Sequence, residues 1–355
     1  MKQKITAAVL AVIAFSTFAF AQTQPADDEI IKVETTLISV PVIVSDRNGR
    51  YISNLKAKDF SVYENGVKQN IDFFAPTEEP LNVALLIDTS RSTAPVLDDI
   101  KDAAIEFIRK LQARDQATIV SFDYEPHVLT ALTANKNDLI QAVEYAEIGE
   151  YVGTTLRDAV LETINNTFAN VKGRKAIILL TDGKDARSQS TIEELMRSTE
   201  ESDAMIYSVF YETGGGMNRL NNRRNRPDDR FPARRGEIFD DRFPDDRRYP
   251  DDDYGRGFPN RRRQQRNSRV SEKNAEAEDF LQELSNSTAG RYYRSEVADL
   301  NETFSSIIGE LRYQYRLGFY PAEKSENGET AREIRVQVAR TDAVVRARRN
   351  YRLER

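Results

Sequence analysis

The stretch NVALLIDTSRSTAPVLDDIKDAAIEF, Asn82 to Phe107, decides how the chain is read. Val83 to Ile87 is a short continuous apolar run, the mark of a strand covered on both faces. It breaks on Asp88, and two hydroxyls follow at Ser90 and Ser92. Then Val96, Ile100, Ala104, Phe107, Ile108 and Leu111 recur at steps of three and four, the stripe of an amphipathic helix. The unit is therefore strand, polar turn, helix. The hydroxyls admit two readings: Ser92 or Thr93 caps the helix, or the turn is part of a ring of oxygen ligands for a cation.

The same alternation repeats downstream. Ala117–Phe122, Ala176–Leu180 and Met205–Phe210 are further buried-strand runs, and Leu156 to Val171 and Ile192 to Ser202 carry helical patterns. The expected fold class is α/β, with a doubly wound, mostly parallel sheet over residues 81–310. Such sheets bind ligands outside the carboxyl ends of their strands. Three loops at that edge carry oxygen donors: Asp88, Ser90 and Ser92 after the first strand; Thr154 in YVGTTLRDAV; and Asp182 in KAIILLTDG. A set without His or Cys suits a small hard cation, Mg²⁺ first, with Mn²⁺ or Ca²⁺ as alternatives. Thr155 is not counted as a ligand, and Asp123 and Asp185 are expected to face solvent.

The pattern changes to period two on both sides of this region. Ile38, Val40, Val42 and Val44 alternate with other residues, and Pro41 suggests a sheet edge or bulge. DFSVYENGVKQNIDFF reads as a hairpin turning on Asn65-Gly66. At the other end Tyr313, Tyr315, Leu317 and Phe319 share a face, followed by Ile334, Val336 and Val338. Neither flank, 30–80 or 311–355, is large enough to be a domain alone. Together they supply about six strands, enough for one small β-sandwich into which the α/β domain is inserted. Residues 214–269, rich in Arg, Asp, Pro and Gly, form an insertion after a strand and before a helix. With few aliphatics they are expected to be disordered; they are read as a solvated loop, or as a polyampholyte that contacts anionic polymers.

Composition excludes several functions. The chain has 355 residues, a net charge of −6, one His and no Cys. Disulfides, thiolate metal sites and cysteine nucleophiles are out, and a His-rich zinc shell is nearly so. The single His127 sits between Pro126 and Val128 in a strand-like run and reads as an ordinary strand residue. The acidic balance is not that of a nucleic-acid binder. Residues 1–21 read as a signal peptide: Lys2 and Lys4, an apolar run from Ile5 to Phe20, and Ala19-Phe20-Ala21 as a cleavage signal. The run is shorter than the roughly 20 residues that span a bilayer. The expectation is export to a periplasm or beyond, with no membrane span left after signal removal.

In order and spacing, Leu81 to Gly309 resembles the von Willebrand factor A domain shared with the integrin I domain. The resemblance rests on Asp88-Thr89-Ser90-Arg91-Ser92, Gly153-Thr154 and Thr181-Asp182-Gly183, and on STAGRYYRS, where Ala289 stands at a usual glycine. It implies a metal-ion-dependent adhesion site: Ser90, Ser92 and Thr154 touch or approach the metal, the two Asp carboxylates act largely through water, and one coordination position faces solvent to capture a partner's Asp or Glu. The flanks resemble exported bacterial proteins of the acidobacterial von Willebrand A-related type. The implied function is an exported, non-enzymatic adhesion or protein-binding module. An envelope scaffold or assembly factor with a structural metal shares every one of these features. A metal-assisted hydrolase would need a general base that no His supplies. A dehalogenase-like phosphatase would need an Asp where Ser90 stands.

Overall fold

The computed structural model describes residues 36–76, 78–212, 260–321 and 331–353; the side chains of residues 260–273 are not described. The signal-peptide reading, and the insertion up to residue 259, lie outside the described residues. The described residues all belong to one unit, Thr36–Arg355.

At its centre is a six-stranded sheet in the order β10-β9-β8-β5-β6-β7. Its strands are β5 (Leu81–Asp88), β6 (Gln116–Phe122), β7 (Pro126–Val128), β8 (Arg174–Thr181), β9 (Met205–Tyr211) and β10 (Tyr292–Ser295). All neighbours are parallel except β7, which runs antiparallel to β6. Every residue of β5 is buried, as its unbroken apolar run requires. The chain leaves β5 to one side for β6, then returns to the other side for β8. The carboxyl end of β5 is thus the point where strand order reverses, the place where sheets of this kind bind ligands.

Helices cover both faces. On one, α1 (Leu97–Lys110), α2 (Lys136–Glu144) and α6 (Leu300–Arg312) pack Ile100, Phe107, Leu139, Phe304 and Ile307 onto Leu85, Ile87 and Val209. On the other, α3 (Leu156–Glu162), α4 (Ile192–Glu201) and α5 (Asn260–Ser287) pack Val160, Leu195, Leu281 and Leu284 onto Leu86, Val120 and Ile206. Periodicity over Leu156–Val171 predicted one long helix; α3 ends at Glu162 and continues as a π-turn through Thr167. Helix α2 was not read from the sequence; its apolar stripe is only three residues, Leu139, Ala142 and Val143.

One expectation needs correction. Residues 260–269, assigned to the disordered insertion, are helical, because α5 starts at Asn260. The last proline and glycine of the segment are Pro259 and Gly257; beyond them Arg, Gln, Ser, Glu, Lys and Ala favour helix. Composition averaged over the whole segment hid that boundary.

The flanks form two four-stranded sheets, β13-β1-β11-β4 and β14-β12-β2-β3. The first holds β1 (Ile38–Asp46), β4 (Phe73–Ala75), β11 (Gln314–Phe319) and β13 (Ala343–Ala347); the second holds β2 (Phe60–Glu64), β3 (Val67–Gln69), β12 (Ala331–Val338) and β14 (Asn350–Arg352). Amino- and carboxyl-terminal strands pair across the insertion, Val42 opposite Tyr315 and Val62 opposite Val336. Their inward residues make one core: Val40, Val42, Phe60 and Val62 with Tyr315, Leu317, Phe319 and Ile334. The α/β region is therefore set within a β-sandwich built by both flanks. It has eight strands rather than about six, because β4 and β14 are three-residue pieces that no periodicity marks. Asn65 and Gly66 both take positive φ, 47° and 82°, as the tight hairpin requires. β1 has neighbours on both sides, yet its ladder with β13 begins at Val42, one residue past Pro41, so the proline sits where that side is open.

The two parts meet at Glu310 in the last turn of α6. Its buried carboxylate accepts hydrogen bonds from Tyr51 (3.0 Å) and Tyr207 (2.7 Å) and pairs with Arg346 and Arg291. Tyr51 and Arg346 come from the sandwich, Tyr207 and Arg291 from the α/β region.

Candidate metal site

The question raised by Asp88, Ser90 and Ser92 is answered by their partners. Neither Val96, which precedes α1, nor Thr93, which precedes the short 3-10 turn before it, makes a side-chain cap. The Thr93 hydroxyl donates instead to the Ser90 carbonyl (2.7 Å). The Ser90 and Ser92 hydroxyls lie 3.0 Å apart and bond each other. The capping reading fails, and the two hydroxyl oxygens are gathered at one spot beside Asp88.

Asp88 is fully buried at the end of β5. One carboxylate oxygen accepts the Ser90 amide (2.9 Å) and the other accepts the Thr181 hydroxyl (2.8 Å). Thr181 ends the neighbouring strand β8, and its hydroxyl oxygen also accepts the Gly183 amide (3.0 Å). Asp182 follows, buried, with the Lys184 ammonium on its carboxylate.

Backbone bonds lace the third loop to the other two. Gly149 donates to the Thr89 carbonyl (3.0 Å), and Arg91 reaches the Glu150 carbonyl. The Thr154 carbonyl accepts from Ala186 (3.1 Å) and Arg187 (3.0 Å) in the loop after β8. Thr154 is buried and joins the group through these loop contacts.

Two expectations are corrected here. Asp123 does not face solvent: it is buried, its carbonyl accepts the Thr155 amide (2.9 Å) and hydroxyl (3.1 Å), and its carboxylate takes the Glu125 amide (3.3 Å). Asp185 is largely buried as well; it accepts the Arg157 amide (3.0 Å) and the Ser188 hydroxyl (2.8 Å) and pairs with the Arg157 guanidinium (3.3 Å). Loop amides at strand ends need acceptors, and short carboxylates serve them. These two aspartates shape the loops that present Thr154. His127 lies in β7, 3.4 Å from the Asp123 carboxylate, as an ordinary strand residue.

Electrostatics favour a cation. The Asp88 carboxyl is pushed up to about 7, first by burial and then by the charge of Asp182, against the hydrogen bonds from Ser90 and Thr181. The phenol of Tyr211, at the end of β9, is held well above its ordinary value by burial and then by the charges of Asp88 and Asp182. The Tyr211 and Thr89 hydroxyls are buried without a hydrogen-bond partner among the described residues. Two aspartates, a pair of clustered hydroxyls and orphaned polar atoms suit a hard divalent ion. Sequence reasoning missed Thr181, which orients Asp88, and Tyr211. Thr181 was adjacent to a chosen residue, but nothing in the sequence says that its hydroxyl turns toward the neighbouring strand.

Comparison with known proteins agrees with this arrangement. Residues 82–233 match the family model of the von Willebrand factor type A domain. The chain is 30% identical over 152 residues to inter-alpha-trypsin inhibitor heavy chain H4 of Sus scrofa, a match covering 39% of this chain and 16% of that protein's length. Similar solved structures include BatB from Bacteroides thetaiotaomicron (15% identity, TM-score 0.41, 65% of this chain and 98% of that one). A second is proximal thread matrix protein 1 from the mussel byssus with a zinc-occupied MIDAS motif (12%, 0.45, 71% and 50%). A third is the vWF domain of the type V pili tip protein Mfa5 from Porphyromonas gingivalis (17%, 0.37, 65% and 96%). Domains of this family commonly bind protein partners through a divalent metal at such a site. Family match, strand order and the laced loops agree: the chain carries a von Willebrand factor type A domain.

Proposed function

We propose that this chain is an exported, non-enzymatic binding module that captures a carboxylate of a protein partner through a divalent cation. Asp88, Ser90, Ser92, Thr154 and Asp182 hold the ion, Mg²⁺ in the first instance, with Mn²⁺ or Ca²⁺ able to replace it. The observation that carries the reading is the set of contacts around Asp88: a buried carboxylate oriented by Thr181 and Ser90, beside a pair of hydroxyls that cap no helix. A bound cation supplies an electrophilic coordination position for an outside carboxylate. Neutral hydroxyl donors leave more of the ion's charge for that partner than a shell of carboxylates would. Thr181 and the Ser90 amide hold Asp88 in one orientation, as supporting hydrogen bonds do for ligands generally.

Mn²⁺ titration followed by electron paramagnetic resonance tests the reading. About one ion per chain is expected, displaced by Mg²⁺ and lost in Asp88→Ala, with the circular dichroism spectrum of that variant unchanged. Binding by the variant at wild-type affinity overturns it.

A further inference from the structure

The rim of the site has its own composition. Of the large apolar and aromatic side chains left exposed among the described residues, Tyr124 (39% exposed), Tyr151 (67%) and Val152 (70%) gather here. Tyr124 directly follows Asp123, and Val152 stands two residues before Thr154. The Tyr124 and Tyr151 rings pack 5.6 Å apart. The Arg187 guanidinium lies 4.2 Å over Tyr124 and donates to its hydroxyl (2.9 Å), while its backbone amide holds the Thr154 carbonyl. Arg91, also exposed, crosses to Glu150. Exposed Tyr and Arg fixed by stacking are what binding hot spots are made of, because little side-chain entropy remains to be lost. A ligand for this rim needs a carboxylate for the cation and another acid for an arginine. It also needs a flat apolar group for the tyrosines.

The chain itself carries that combination, repeated. DDRFP occurs at 228–232 and at 240–244, and DDRRYP at 245–250. Each unit has two adjacent Asp, one or two Arg, and an aromatic residue followed by Pro. One Asp suits the cation and the other Arg91 or Arg187. The motif's Arg suits the exposed Glu150 or Glu125, and Phe-Pro or Tyr-Pro suits the tyrosine faces. The segment departs after β9, whose carboxyl end lies on the same sheet edge as the site, because β9, β8 and β5 are parallel. One chain carries three motifs and one site, so capture within the chain leaves motifs over.

We propose that the carboxylate captured at the Asp88–Asp182 site is that of the Asp-Asp-Arg-aromatic-Pro motif of a second copy of this chain, so that the protein assembles with itself when a divalent cation is bound. The inference rests on the metal-binding reading above. Each contact is small, and repetition of the motif raises the local concentration for every subsequent one.

Sedimentation velocity of the full chain over a concentration series tests it, with Mn²⁺ binding measured on the same samples. In excess Mg²⁺ the wild type is expected to form concentration-dependent assemblies that return to single chains in EDTA. A variant with Asp228, Asp229, Asp240, Asp241, Asp245 and Asp246 changed to Asn is expected to stay a single chain in Mg²⁺ while binding Mn²⁺ as the wild type does. Changing the same six to Glu is expected to restore assembly, and Arg187→Ala to weaken it at least tenfold in concentration. A synthetic peptide of residues 226–250 is expected to dissolve the wild-type assemblies. A wild type that binds Mn²⁺ yet stays a single chain overturns this inference and leaves the metal site standing. Assembly that persists in the Asn variant overturns it too. A chain that binds no Mn²⁺ overturns both readings.

Discussion

The hydroxyl of Thr181 donates a 2.8 Å hydrogen bond to the carboxylate of Asp88, residues 93 positions apart in sequence. The bond joins the ends of β8 and β5 at the point where strand order reverses. It also leaves a buried acid under the influence of a second one, with the Asp88 carboxyl pushed up to about 7. A divalent cation held there as proposed would relieve that arrangement and so link binding to stability.

Mg²⁺ at 100 times its dissociation constant is therefore expected to stabilise the chain by about 2.7 kcal/mol, a rise of about 5 °C in melting temperature for a domain of this size. Asp88→Ala abolishes the rise. Thermal scans in Mg²⁺ and in EDTA measure it, and an equal shift in the variant would show that the ion acts elsewhere.

Gly290 precedes β10, and a Cβ there would lie 1.8 Å from the Ile206 carbonyl oxygen, a backbone atom of β9 that cannot move alone. Gly290→Ala is expected to cost about 3 kcal/mol or more. Urea unfolding of the two proteins gives the difference. The neighbouring Ala289 already holds a positive φ of 67°, so the turn has little room to adjust.

Asp115 accepts the amides of Leu81 (3.0 Å) and Gln112 (2.7 Å) and pairs with Arg312 at the end of α6. Burial alone would raise its carboxyl, but these hydrogen bonds and the guanidinium hold it below the ordinary 3.8. The folded carboxyl then keeps its proton less tightly than the unfolded one. Its contribution is complete above pH 3.8 and drains away as pH falls through the lower folded value. Arg312→Ala is expected to lose about 3 kcal/mol at neutral pH and to show a shallower loss of stability in acid. Equilibrium unfolding between pH 2 and pH 7 reads both effects.

Glu310→Ala removes the acceptor shared by Tyr51, Tyr207, Arg291 and Arg346. Tyr207 is fully buried and loses its partner, and the two arginines are partly exposed, so the expected cost is about 2–3 kcal/mol. The same change loosens the junction of sandwich and α/β region. Two denaturation transitions, where the wild type shows one, are the expected signature in tyrosine fluorescence and circular dichroism.

The parallel sheet was legible because its strands are continuous apolar runs, and such runs have one stable use, burial on both faces. Asp88 and Asp182, at the ends of β5 and β8, were legible for the same reason: strand direction alone puts those two loops on one edge, whereas Thr154 stands between α2 and α3 and no strand places it. The hairpin at Asn65-Gly66 could be read from a dipeptide. Where the short pieces β4 and β14 would pair could not. Three residues carry no periodicity, and their pairing is decided by the strand beside them. The start of α5 at Asn260 was missed because composition averages over a segment while helix formation responds to where Pro and Gly stop.

The sequence by itself determined which atoms are available: five oxygen-bearing side chains, no thiol, one imidazole, and repeats that unite acid, arginine and aromatic. Local pattern suffices for that, because strand and helix periodicities are properties of neighbours in the chain. Only the tertiary structure decided what each hydroxyl does. Ser92 or Thr93 could have capped the helix that follows, and Thr181 could have faced solvent. Burial of the loop ends against one another turned the serines to each other and Thr181 to Asp88, and drew Asp123 and Asp185 inward to satisfy loop amides. Hydrogen-bond partners are chosen by what remains unsatisfied once the core is packed, and that depends on residues far apart in sequence.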